Sequence, residues 1–349
     1  MIERFRETIR AAASQKRALR IRGGGTKDFY GGPLRGEILD TRDHAGVVSY
    51  EPTELVVTAR CGTRLDELER MLAERGQRLA FEPPHFGETA TLGGCVAAGL
   101  SGPRRMAAGA LRDFVLGAKI IDGRGDSLSF GGQVMKNVAG YDVARLMAGS
   151  LGTLGVIVEV SLKVLPMPAS EATLRFEMTQ EDAIGTMNRW AGRPLPISAT
   201  CWHAGQLMVR LSGAAAGVAA AQRDLGGETV EEGARFWCEL REQRHRFFEG
   251  PAPLWRLALP PATAPVPLAG EPLIEWGGGE RWLRSEAPAE VLREAARAAG
   301  GHACLFRAPF ETAEPFQPLA QALARIHRSL KAAFDPNGVF NRGRMYPEW

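Results

Sequence analysis

The residue run with the plainest chemical meaning is Arg22-Gly-Gly-Gly-Thr26. It closes residues 19–22, which alternate in character and read as a short strand. Three consecutive glycines bare their main-chain N–H groups, so an anion can approach with no Cβ in the way. Thr26 adds a hydroxyl donor, and Arg22 can offset diphosphate charge. The run is neither GxGxxG nor GxxxxGK[ST], so a Rossmann site or a P-loop is unsupported. Taken alone, the same residues also fit a glycine-rich hairpin.

Three later stretches share this small, glycine-rich character. The first is Glu82-Pro-Pro-His85, followed by Thr89-Ala-Thr91-Leu-Gly93-Gly94-Cys95 and Ser101. The second is Gly109-Ala-Leu-Arg112-Asp113. The third is Lys136-Asn137-Val-Ala-Gly140-Tyr141-Asp142, continued by Gly149-Ser-Leu-Gly152-Thr-Leu-Gly155-Val156. The chain's 41 glycines crowd into these segments of its first half. Such crowding is what a closely approached phosphate ligand or a turn-rich sheet demands.

Other chemistries find less support. The five cysteines are scattered, with no CxxC pair, which argues against zinc ribbons and iron–sulfur ligation and suits a reducing cytoplasm. The six histidines, His44, His85, His203, His245, His302 and His327, are equally dispersed. A net charge of +3 with no basic stripe gives no footprint for nucleic acid. The N-terminus lacks the apolar stretch of a signal peptide, and no run of 18 apolar residues suggests a membrane span. A carboxylate substrate would need a cation, for which Lys136, Arg307, Arg342 and Arg344 are candidates; each also fits an ordinary surface or structural charge.

These residues need a scaffold. Residues 3–15 read as an amphipathic helix; 37–40, 47–50 and 55–60 read as strands; a helix follows Thr63. Residues 78–168 look like strand-and-turn material with long apolar strands at 114–121 and 155–165. Pro166-Met-Pro168 marks a boundary. Beyond it, strands at 171–178, 197–203, 206–212, 254–259, 272–276, 281–285 and 302–307 are interleaved with helices at 214–225 and 288–299. That pattern suggests a ferredoxin-like α+β unit, with the Pro-rich run 260–272 a loop or a deleted element. Residues 315–334 read as a helix with Leu319, Leu323, Ile326 and Leu330 on one stripe, ended by Asp335-Pro-Asn-Gly338. No internal repeat is visible.

In their order along the chain, Arg22–Thr26, Thr91–Gly94, Gly109–Asp113, Gly140–Asp142 and Gly149–Val156 resemble the PCMH-type FAD-binding domains of the vanillyl-alcohol-oxidase family. Phe334-Asp-Pro-Asn-Gly-Val-Phe-Asn341 resembles the tail of the same class. The middle of the chain resembles the shorter cap of the FAD-binding subunits of bacterial glycolate oxidases. The resemblance implies an α+β fold: a PCMH-type FAD-binding domain at 1–168 (subdomains 1–76 and 77–168), a small ferredoxin-like cap at 169–310, and a C-terminal segment, 311–349, that returns to the FAD domain. It implies FAD contacts from Arg22, Gly23, Gly24, Gly25, Thr26, Thr91, Gly93, Gly94, Gly109, Gly152 and Val156. Tyr141 and Asp142 fall where the flavin pocket is shaped; Tyr141 also fits a tyrosine packed at a strand turn. Tyr141, Lys136 and Arg307 are the candidates for catalysis. Thr26-Lys27 stands where some members carry a tethering histidine, and Cys95 is displaced from the usual cysteine position, so the expected FAD is non-covalent.

The same resemblance implies flavin-mediated oxidation of a small 2-hydroxy acid, with electrons passed to an iron–sulfur subunit and a second FAD-linked glycolate oxidase subunit. The histidine-rich metal motif of related hydroxy-acid dehydrogenases is missing from the sequence, so no metal is expected. Three roles stay open: a catalytic half-site, an FAD-binding relay or assembly subunit without its own substrate, and a stand-alone oxidase. A cytoplasmic location is expected, with any contact to the inner membrane made through partners.

Overall fold

The computed structural model describes residues 1–132, 142–312 and 314–349. Helix Ile2–Ser14 buries Phe5, Ile9 and Ala12, which share one face at helical spacing. Strand Leu19–Arg22 pairs in parallel with Glu37–Asp40, and Phe340 from the far end of the chain bridges to Leu19. These pieces close over a core that includes Phe5, Ile9, Leu39, Val156, Val158 and Phe340.

A five-stranded sheet follows in the order Val47–Glu51, Val56–Arg60, Val156–Lys163, Val115–Ile121, Ser127–Gly131, with every neighbouring pair antiparallel. Its middle strand is covered on both faces. Val156 and Val158 join the first core, while Ile157 joins a second one with Leu65, Leu68 and Leu72 of helix Leu65–Ala73. The region expected to be strand and turn also holds short helices at Leu92–Ala98, Arg105–Ala108 and Leu111–Phe114. Their glycines and short lengths hide the helical period.

Ser170–Glu177 opens a separate eight-stranded antiparallel sheet. Its first half runs strand, helix, strand, strand, helix, strand: Ser170–Glu177, Gln180–Ala191, Ile197–His203, Gln206–Gly213, Ala215–Leu225, Glu228–Thr229. With its strands numbered in chain order, their spatial order is 4-1-3-2, which is the ferredoxin-like arrangement. Its second half, Leu254–Ala258, Pro272–Glu275, Glu280–Arg284, Ala289–Ala298 and His302–Arg307, has the mirror order 2-3-1-4. The halves join where Ile197–His203 pairs with Pro272–Glu275. The expected single ferredoxin-like unit is thus doubled. Residues 259–271 stand where the second half lacks its first helix.

One face of this sheet carries helices Gln180–Ala191 and Ala215–Leu225, and helix Ala289–Ala298 packs on its second half. Another cluster joins the sheet to the first domain through Tyr30, Ala98, Leu100 and Leu151. A buried ion network crosses the same junction. Glu82 accepts from Arg104 Nε at 3.2 Å and from Arg210 Nη2 at 2.8 Å, and Arg104 also pairs with Glu171. Burial works against the Glu82 carboxylate, but Arg210 and Arg104 outweigh it and hold its pKa below the ordinary value.

The last helix is Gln321–Phe334, shorter than expected at its start. The residues before it run along edge strand His302–Arg307, where Leu305 N donates to Pro315 O at 2.8 Å. This covers an otherwise open edge. Leu323 and Ile326, expected to pack, are 49% and 55% exposed. Instead the helix is anchored by Lys331, whose Nζ donates to Asp335 Oδ2 at 2.6 Å, Thr153 O at 2.8 Å and Phe340 O at 3.0 Å. Asp335 in turn accepts from Val339 N at 2.9 Å and Phe340 N at 2.8 Å.

Candidate functional site

A cleft of about 800 Å³, partly open to solvent, lies between strand Leu19–Arg22, helix Leu92–Ala98 and the chain's tail. Residues 21–28, Thr91, Gly93, Gly94, Leu151, Gly152, Gly155, Asn341 and Arg344 line it. The loops are interlocked at distances only glycine allows. A Cβ on Gly24 would lie 1.6 Å from Thr89 O, and one on Gly23 would lie 2.3 Å from Thr91 Oγ1. Thr89 Oγ1 donates to Gly24 O at 2.9 Å, Gly93 N donates to Cys61 O at 2.8 Å, and Gly94 N donates to Thr91 Oγ1 at 3.3 Å. On the far wall, Asn341 accepts from Ile21 N at 2.8 Å and donates to Leu151 O at 2.6 Å.

Among the described residues, no acceptor meets the main-chain amides of residues 23–27. In a cleft partly open to solvent, these amides are free to meet water or the oxygens of a ligand. Consecutive N–H donors in a glycine loop suit phosphate oxygens.

The cleft's cations differ in how far they are engaged. Arg22 Nε donates to Asp28 Oδ2 at 3.1 Å. Arg344 is buried and donates to the carbonyls of Asp28 at 2.8 Å and Tyr30 at 2.5 Å, and also to that of Gly32. Burial lowers its pKa to about 10, so it serves as a clamp on the loop at 27–32. Lys27 Nζ reaches His85 O at 3.1 Å.

The remaining sequence candidates fall elsewhere. Gly109 ends helix Arg105–Ala108 with φ of 105° and does not line the cleft. Val156 turns into the core beside Phe5, while its neighbours Gly155 and Ile157 line the cleft. Lys136, Gly140 and Tyr141 lie outside the described residues. Arg307 stacks on Phe29 with its guanidinium 4.4 Å from the ring centre, and its Nη2 donates to Gln243 Oε1 at 3.0 Å. Arg342 donates to the carbonyl of Gly338. His203 and His245 meet edge to face at 5.6 Å, and the described residues include no cluster of metal-binding side chains. Cys95 is buried, and burial pushes its thiol up to about 12, far from a reactive thiolate.

Two features of the domain junction were not legible in the sequence. Phe306 stacks against Trp282 at 4.9 Å and Tyr30 at 5.1 Å, with Phe29 and Phe86 alongside. Below them, the strand register sets Glu275 opposite Glu280, both buried. Trp282 Nε1 donates to Glu275 Oε2 at 2.9 Å, and Arg256 Nε lies 3.8 Å from Glu280 Oε1. Burial raises both carboxyls, Glu280 to about 7 against the pull of Arg256 and Arg105.

Residues 2–131 match the family model described as an FAD binding domain. The chain is 50% identical to glycolate oxidase subunit GlcE of Escherichia coli (strain K12), over 98% of this chain and 96% of that one. It belongs to the GlcE family of glycolate oxidase subunits. FAD is its cofactor, and the family is one of FAD-dependent oxidoreductases. The orphaned amides and the glycine-only contacts fit that group. More distant relatives share part of the chain. D-lactate dehydrogenase of Archaeoglobus fulgidus is 32% identical over 51% of this chain and 40% of its own length. Glycolate oxidase subunit GlcD of Bacillus subtilis (strain 168) is 32% identical over 44% of this chain and 33% of its own. In fold, this GlcE-family chain is similar to alkyldihydroxyacetonephosphate synthase, with a TM-score of 0.66 and 16% identity over 96% of the chain and 74% of the synthase.

Proposed function

We propose that this chain is the FAD-binding subunit of a multi-subunit glycolate (2-hydroxy acid) oxidase, acting with a second FAD-linked subunit and an iron–sulfur subunit. The observation that carries this reading is the 50% identity to GlcE, sustained over nearly the full length of both chains, cap included. Residues 1–168 with 311–349 form the FAD-binding part and 169–310 the cap. Residues 23–26, Thr91, Gly93, Gly94 and Gly152 hold the cofactor non-covalently, with Arg22 offsetting its charge. Gly109 shapes a neighbouring loop, and Val156 contributes only backbone between Gly155 and Ile157. When bound, FAD supplies the two-electron acceptor for oxidation at a CH–OH carbon. The chain's own part is to fix the diphosphate with main-chain amides and to shield the junction from water with Phe29, Tyr30, Phe86 and Phe306. The reading carries a cytoplasmic complex that meets the inner membrane through its partners; separately, no described helix is long and apolar enough to cross a membrane.

Purification from native cells tests the assembly. A yellow complex containing the two other subunits is expected; quantitative recovery of the chain alone refutes it. A second reading, a relay or assembly subunit without its own substrate site, is favoured by the dispersed histidines, which leave the sequence without the histidine-rich metal motif of related hydroxy-acid dehydrogenases. It also fits the engagement of Arg307 by Phe29 and Gln243. Anaerobic glycolate or D-lactate separates the readings: bleaching of the isolated chain supports a catalytic half-site, whereas bleaching only with partners supports the relay.

A further inference from the structure

Lys27 lines the same cleft as residues 23–26, and its ammonium forms no ion pair among the described residues. Arg22 is paired with Asp28, and Arg344 is saturated by carbonyls. Lys27 Nζ meets only neutral acceptors, His85 O at 3.1 Å and, at the limit of bonding, Thr26 Oγ1 at 3.5 Å. The Phe86 ring, 5.6 Å away, closes one side. Glu242 lies nearby but is committed to Phe86 N at 2.8 Å, His85 N at 3.1 Å and Arg241 Nε at 2.8 Å. No described Asp or Glu forms an ion pair with Lys27, and residues 133–141 and 313 include no acidic side chain. Burial is the main reason its ammonium is held below the ordinary lysine pKa, with Cys95 and Glu242 acting in the opposite sense. A sheltered, uncompensated ammonium is unfavourable until an anion arrives. Lys27 lines the cleft next to residues 23–26, and its ammonium lies 3.5 Å from the Thr26 hydroxyl, on the same loop as the free amides.

We infer that Lys27 Nζ is an ion-pair donor to the diphosphate of bound FAD. This rests on the FAD-binding role of the cleft. A substrate carboxylate is the competing anion, but the adjacency of the free amides at 23–27 favours the diphosphate. The test uses the full chain stripped of flavin, with FAD, ADP and riboflavin as probes for wild type, K27M and K27R. A charge-assisted contact predicts that K27M weakens FAD and ADP binding by about ten- to hundredfold. Riboflavin, which has no phosphate, should bind K27M as it binds wild type, and K27R should recover much of the loss. Wild-type affinity should also fall more steeply with salt than that of K27M. In thermal melts without ligand, K27M should be no less stable than wild type, while the stabilisation given by FAD shrinks. Unchanged ADP affinity in K27M would overturn the inference, as would an equal loss for riboflavin or a melt lowered without ligand. If wild type itself takes up no FAD, the cofactor assignment has failed instead.

Discussion

Replacing Lys331 by methionine isolates the buried clasp that returns the tail of the chain to the cleft. The ammonium donates three hydrogen bonds, to Asp335 Oδ2, Thr153 O and Phe340 O, at 2.6, 2.8 and 3.0 Å. Its removal leaves two carbonyls short of a donor and an Asp335 side chain with no solvent exposure. Breaking a buried pair from one side costs about 3–5 kcal/mol. Because Val339 N and Phe340 N still donate to Asp335, the lower end applies, roughly 3 kcal/mol. The loss should be local first. Phe340 pairs beside Leu19, and Asn341 pins Ile21 and Leu151 at the cleft wall. Urea unfolding followed by tryptophan fluorescence, with flavin release read in parallel, should show K331M releasing FAD at lower urea than wild type. Stability of K331M within about 0.5 kcal/mol of wild type, the range of an unremarkable surface change, would refute the reasoning.

Three further outcomes are expected. G24A should purify without stoichiometric flavin, since its Cβ would fall 1.6 Å from Thr89 O; a full flavin-to-protein ratio would contradict the interlocked-loop geometry. Acid precipitation of wild type should leave all flavin in the supernatant, and C95A should still bind FAD, because the Cys95 thiol is buried and pushed up to about 12; flavin in the pellet would indicate a tether. Glu280 predicts a pH dependence. Its folded pKa, about 7 against 4.5, means the folded chain holds a proton that the unfolded chain releases. The resulting stabilisation is complete below 4.5 and lost as pH rises through about 7. E280Q should therefore have the flatter stability curve between pH 4.5 and 8 by chemical denaturation; parallel curves would show that Glu280 titrates normally.

Local chemistry made much of this protein readable from its residues alone. The glycines at 23–25, the hydroxyls at Thr89 and Thr91, and the closing Phe334–Asn341 run each impose a backbone geometry that few other sequences could adopt. Alternating and apolar runs likewise marked most strands of both sheets, because a strand's period is set by its own residues. What tertiary structure alone decided depends on pairing across long separations. The doubling of the cap is a matter of strand order, and two halves can share a topology without sharing side chains, so no repeat showed. The C-terminal helix was expected to pack by its Leu323 and Ile326 stripe, yet its burial is set by Lys331, whose partners Thr153 and Phe340 come from separate elements. Arg344 is a clamp because the carbonyls of Lys27, Asp28, Tyr30 and Gly32 all turn toward it, while the neighbouring Asp28 carboxylate is taken by Arg20 and Arg22. The sequence states which groups carry charge, but only the folded chain determines which charges are already neutralised, since that depends on distances of a few ångströms between residues far apart along the backbone.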